Sequence, residues 1–104
     1  MLVYRYEDRK HVGPFAHHGL NRRYAQLPTA QDEGLPFVSG THASACTSYT
    51  QLVAYFGINN CNAMEDMGYM VAEYEVCDSL VIAGQTQCVF NIDLATFRGF
   101  EDEE

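Results

Sequence analysis

The run CTSYTQLVAYFGINNCNAMEDMGYMVAEYEVCDSLVIAGQTQCVFN, residues 46–91, decides the fold. Its first part has helical spacing. Tyr49, Leu52, Val53 and Phe56 recur every three or four residues, which places them on one helical face. Thr47 or Ser48 supplies a hydroxyl that accepts from an unpaired amide of the first turn. Gly57 suits the left-handed position that ends many helices. This predicts a helix over residues 48–56. Asn59-Asn60 reads as a turn, and a short helix over residues 62–67 ends at Gly68.

The period then changes from helical to alternating. Met70, Ala72, Tyr74 and Val76 alternate with Tyr69, Val71, Glu73 and Glu75, as expected of a strand over residues 69–77. Glu73 and Glu75 mark its solvent face. Residues 80–83 form a short apolar run that reads as an interior strand, with Gly84 as a turn or bulge. Residues 85–91 alternate again, with Thr86, Cys88 and Phe90 on one face.

Upstream, Leu2, Tyr4 and Tyr6 alternate with Val3 and Arg5, so residues 1–7 read as a first strand. Gly13-Pro14 is strong punctuation. Leu20, Tyr24 and Leu27 have helical spacing before Pro28, but residues 8–45 as a whole read as loop-rich. Residues 94–100 close the fold, and residues 101–104 are a solvated acidic tail. The expected fold is therefore α+β. It has a small, mainly antiparallel sheet, one main helix and a long loop-rich N-terminal half. The 104 residues suit one domain, with the helix and strands in residues 46–100.

Charge is uneven. Residues 1–23 carry five basic residues against two acids, a net of +3, whereas residues 24–104 carry Arg98 alone against twelve acids, a net of −11. Such a field repels nucleic acid and attracts basic protein surface. No run approaches the roughly 20 apolar residues of a membrane span, and residues 1–10 have no apolar signal core. The expected location is the cytoplasm. Cys46, Cys61, Cys77 and Cys88 are spaced by 15, 16 and 11 residues, which matches no zinc pattern. His11, His17, His18 and His42 have no ligand spacing, so no metal site is expected. GxSxG and phosphate-binding glycine loops are missing, which argues against a nucleophile elbow or P-loop chemistry.

Arg5 stands apart, because an arginine inside a strand must reach solvent or a partner. Its planar fork suits a phosphate or a carboxylate, and Glu7 or Glu75 is the local candidate. Acidic and aromatic side chains provide a second group. Asp32, Glu33, Glu65, Asp66, Glu73 and Glu75 are candidate contacts for a basic partner, with Tyr69 as an aromatic anchor alongside Tyr6, Tyr24, Tyr49 and Tyr55.

The stretches Tyr4-Arg5-Tyr6-Glu7, Gly13-Pro14-Phe15, residues 52–56, Tyr74-Glu75-Val76 and residues 84–90 resemble those of small phage and prophage proteins. In size and charge the chain is similar to anti-CRISPR proteins. That likeness implies an accessory protein that occupies a basic, nucleic-acid-binding surface of a host defence protein or ribonucleoprotein complex. The order of Arg5, Ser48 and Gln87 also resembles a reduced ADP-ribosyltransferase-type pattern. There, a first-strand arginine, a middle serine and a late Glu or Gln line a nicotinamide-dinucleotide cleft, so NAD is the cofactor this resemblance implies. Gln87 stands where the transferase has its catalytic glutamate. A neutral amide stabilises an oxocarbenium-like transition state less than a carboxylate does. A structural or virion accessory role is the remaining alternative.

Overall fold

The computed structural model of the chain describes residues 1–14, 27, 29–35 and 41–101. Among these residues six strands and two α-helices follow in the order β1 (Leu2–Glu7), β2 (His42–Ala45), α1 (Tyr49–Phe56), α2 (Ile58–Asp66), β3 (Met70–Glu75), β4 (Val81–Ala83), β5 (Cys88–Asn91) and β6 (Thr96–Phe100). They form two antiparallel three-stranded sheets, ordered β1-β3-β6 and β2-β5-β4. The fold is α+β, as expected.

Ser48 starts α1 as the sequence implies, with its hydroxyl accepting from Gln51 N at 3.0 Å. Gln51 reaches back, and its Oε1 accepts from Thr47 N at 2.8 Å. This reciprocal cap satisfies amides that the helix itself leaves unpaired. Leu52 and Phe56, four residues apart, are the buried stripe.

Two expectations change here. One main helix was expected, yet α2 is as well formed as α1 and begins at Ile58 rather than near residue 62. Asn59-Asn60 does not turn. Gly57 turns the chain instead, at φ 87° and ψ 144°, outside the left-handed helical well. Asn60 Nδ2 then donates to the carbonyl of Phe56 at 2.8 Å, pairing an acceptor left over at the end of α1. The stretch expected to be loop-rich changes at its end, while its residues 15–26, 28 and 36–40 lie outside the described residues. Residues 42–45 form β2, paired along its length with β5. The helix anticipated around residues 20–27 lies almost wholly outside the described residues.

β1 serves two cores, one on each face. On one face Tyr6 joins Val71 of β3 beneath Leu52, Phe56 and Met64 of the helices. On the other, Val3 and Tyr74 meet Ala43, Cys88 and Phe90 of the second sheet. Burial on both sides explains why β5 is apolar at Cys88, Val89 and Phe90, all at zero exposure, instead of alternating. The strand expected to be interior, β4, is an edge, with Ile82 exposed, and β5 takes the central place. Residues 85–87 precede β5 as a loop rather than extending it.

The sheets meet at one bridge among the described residues. Tyr4 and Cys46 exchange both backbone hydrogen bonds at 2.8 Å. In this antiparallel register the next pairs would be Arg5 with Ala45 and Tyr6 with Ser44. They are not bonded, so β1 and β2 part there.

Candidate functional site

Where β1 and β2 part, a pocket of about 220 Å³ opens. Arg5 lines it from β1, Ser44 from β2, Tyr55 and Phe56 from α1, and Gln87 from the loop before β5. The remaining described lining is mostly apolar, including Ala45 and Leu52. An apolar pocket with a few convergent polar groups is the usual form of a small-ligand site. A second groove lies across Tyr55, which lines both, and Gln51, Gln85 and Thr86 border it.

Two polar groups of the pocket, Arg5 and Gln87, are held from behind. Arg5 Nε lies 3.3 Å from Oε2 of Glu7, a carboxylate with no solvent exposure. The contact is an ion pair without a hydrogen bond from Nε. Glu7 also accepts from the Tyr74 hydroxyl at 2.8 Å and contacts His11 Nδ1 at 2.9 Å. Gly13 leaves room for the guanidinium, since a Cβ there would fall 2.5 Å from Arg5 Nη2.

Glu33 plays the matching part for Gln87. It accepts from Thr86 N at 2.7 Å, from Thr86 Oγ1 at 2.6 Å and from Gln87 Nε2 at 2.9 Å. Burial pushes its carboxyl up, but hydrogen bonds from Thr86, Gln87 and the Gln85 backbone outweigh it, and the net shift is downward. Gly84 permits this approach. A Cβ there would lie 2.7 Å from Glu33 Oε1 and 2.9 Å from Leu35 Cδ1.

Burial also raises the titrating groups of the pocket wall. The Tyr55 hydroxyl is pushed up to about 12, with the Cys46 and Glu33 charges adding to burial and a Gln87 hydrogen bond opposing them. The Cys46 thiol is likewise raised to about 12, mainly by burial. Both are neutral near pH 7, so Cys46 is not an activated nucleophile.

A family model for the bacteriophage T4 Y00F protein matches residues 1–102. The chain belongs to that family. It is therefore a phage-type accessory protein. No curated protein and no solved structure matches it.

In this Y00F-family chain the sequence-predicted residues separate into distinct groups. Arg5 and Gln87 share the pocket. Ser48 is not among its described lining residues, and its hydroxyl caps α1. Ser44 lies there instead, and the sequence carried no pattern to single it out. The acidic set is dispersed. Glu33 holds the loop before β5, Glu65 accepts from the Tyr6 hydroxyl at 2.9 Å, and Glu75 pairs with Arg98 at 3.4 Å. Asp32 and Asp66 are exposed, and Glu73 is half-buried. Tyr69 and Tyr6 are core residues at 5% and 1% exposure, which excludes them as surface anchors, while Tyr49 is exposed and Tyr24 lies outside the described residues. Among the described residues no cluster of His, Cys, Asp or Glu is placed to hold a metal, and no helix is long and apolar enough to cross a membrane.

Proposed function

We propose that this phage accessory protein binds a nicotinamide dinucleotide, or a ligand of the same chemistry, in the Arg5–Ser44–Gln87 pocket without cleaving it. The observation that carries the reading is the convergence of a first-strand arginine, a mid-chain serine and a late glutamine on one cleft. Arg5 offers a charged fork for a phosphate. Ser44 and the Gln87 amide offer hydrogen bonds to a carboxamide. The faces of Tyr55 and Phe56 offer an apolar wall for its ring. The pocket's 220 Å³ holds a ring-sized group, and the groove beyond Tyr55 has room for the rest of a longer ligand. Gln87 favours binding over turnover, for an amide cannot take the place of a carboxylate beside a developing positive charge.

Calorimetric titration with nicotinamide adenine dinucleotide tests this. The expected result is saturable binding that Arg5→Lys and Gln87→Ala weaken, with no transfer of labelled ADP-ribose to protein. Failure of the folded wild-type protein to bind at millimolar ligand would overturn it.

A second reading rests on the net charge of −8. An acidic accessory protein would be steered onto the basic, nucleic-acid-binding surface of a host defence complex and block it, in the manner of an anti-CRISPR protein. Of the candidate acids, exposed Asp66 is the one left to make such a contact, since Asp32 Oδ2 accepts from Thr29 N at 2.9 Å. Co-elution with a host ribonucleoprotein complex that dissociates in high salt is the outcome this reading requires. Asp66→Asn should weaken it.

A further inference from the structure

We propose that Glu33 is the positioning residue of the cleft: it fixes the loop before β5 and turns the Gln87 amide into its binding orientation without touching ligand. The inference rests on the reading of the cleft as a dinucleotide site.

Glu33 belongs to the short helical turn Gln31–Glu33, more than fifty residues from its partners in sequence. The turn is anchored at its own base, where Thr29 N donates to Asp32 Oδ2 at 2.9 Å and Asp32 N donates to Thr29 Oγ1 at 3.1 Å. Ala30 and Leu35 pack it onto Val89 of β5. The carboxylate thus projects from a fixed base. Each of its oxygens is matched to a donor of the loop, and an ionised carboxylate can only accept. That settles the orientation of Gln87. The amide nitrogen must face Glu33, so the carbonyl oxygen lies on the opposite side of the group. Reversing the amide would set two acceptors against each other. The pocket end built by Gln87 is thereby presented in one orientation, selected by a residue outside the described lining.

The same contact has a proton dependence. Hydrogen bonding holds the Glu33 carboxyl below its usual range, so it stays ionised until the solution is distinctly acid. The described titratable groups that feel its charge from the elements around it are Cys46 at the end of β2 and Tyr55 on α1. Both are neutral throughout the acid range.

The test compares wild type with Glu33→Gln in two ways. The first needs no ligand. The Gln87 side-chain amide protons, observed by nitrogen-15 NMR, should be shifted and slow to exchange in wild type. In the variant they should shift toward free-glutamine values and exchange faster, although the Tyr55 contact remains. The second is titration with nicotinamide adenine dinucleotide across pH. Wild-type affinity should be level at neutral pH and fall as Glu33 protonates below the ordinary carboxylate range. Glu33→Gln should bind about tenfold more weakly, the scale of a lost charged hydrogen bond, with no such acid limb. Unchanged Gln87 signals in a folded Glu33→Gln protein would overturn the proposal, as would wild-type affinity in that variant. If wild type binds no dinucleotide, the ligand reading fails alone, and the Gln87 signals still decide the role of Glu33.

Discussion

Arg5 and Glu7 lie two residues apart on one face of β1, and Arg5 Nε stands 3.3 Å from a Glu7 carboxylate that has no solvent exposure. Glu7 also bonds the buried Tyr74 hydroxyl. Replacing it by alanine leaves a largely buried guanidinium without its counter-charge and a buried hydroxyl without its acceptor. Removing one member of a buried ion pair typically costs about 3 kcal/mol or more. Arg5 keeps some solvent contact, so the lower end is expected for Glu7→Ala. Urea denaturation measures it, and a loss under about 1 kcal/mol would show that Glu7 is not the anchor of Arg5.

Two glycines beside the cleft should behave oppositely on substitution. At Gly13 the obstacle to a Cβ is the far end of the Arg5 side chain rather than backbone. Gly13→Ala should therefore leave stability within about 0.5 kcal/mol of wild type and displace the guanidinium. Dinucleotide affinity should fall while the thermal midpoint holds. At Gly84 a Cβ meets Glu33 Oε1, Leu35 Cδ1 and the Gln87 carbonyl at 3.2 Å. The backbone carbonyl cannot swing aside, so Gly84→Ala should destabilise by about 1–3 kcal/mol. Equal effects on stability at both sites would contradict this account.

Much of the chain's local structure was legible because it rests on near neighbours. The Ser48 cap, the Leu52–Phe56 stripe and the solvent side at Glu73 and Glu75 are all written in residues one helical turn or two strand positions apart. What was not legible depends on distant pairing. β4 reads as interior because Val81, Ile82 and Ala83 are apolar, but only the sheet order makes β5 central. The bridge between Tyr4 and Cys46, which opens the pocket, joins residues 42 positions apart. Asn59-Asn60 has turn composition, yet Asn60 is used to pair the Phe56 carbonyl. Of the cleft, Arg5 could be picked out as a polar group where a strand expects an apolar one, and Gln87 through the resemblance to the transferase pattern. Ser44 sits between alanines in β2 and carries no such signal.

The cysteines predict a pH limit on the alkaline side. Burial pushes the Cys46 thiol up to about 12 and the Cys88 thiol up to about 11, from 9.0 for an ordinary thiol. The folded protein holds these protons more tightly than the unfolded chain does. Their contribution is thus complete below about pH 9 and lost as pH rises toward 11–12. Denaturation midpoints should fall across that window. At pH 8 maleimide should label Cys77 quickly, since it is exposed, and leave buried Cys46, Cys61 and Cys88 slow. Rapid labelling of all four in native conditions would mean that the core opens far more readily than its packing implies.

The two serines near the start of α1 should separate folding from binding. Ser48 accepts from Gln51 N at 3.0 Å and is exposed, so Ser48→Ala removes a cap and nothing else described here. The expected cost is about 1 kcal/mol of stability with dinucleotide affinity unchanged. Ser44 lines the pocket from a half-buried position in β2. Ser44→Ala keeps the strand's backbone bonds to Cys88–Asn91 and should alter stability by no more than about 0.5 kcal/mol. Its affinity should drop roughly fivefold, the scale of one neutral hydrogen bond. Parallel denaturation and calorimetry on both variants check the crossover. If Ser48→Ala lost affinity and Ser44→Ala kept it, the cleft would have to be redrawn around the start of α1, with Ser48 as its serine.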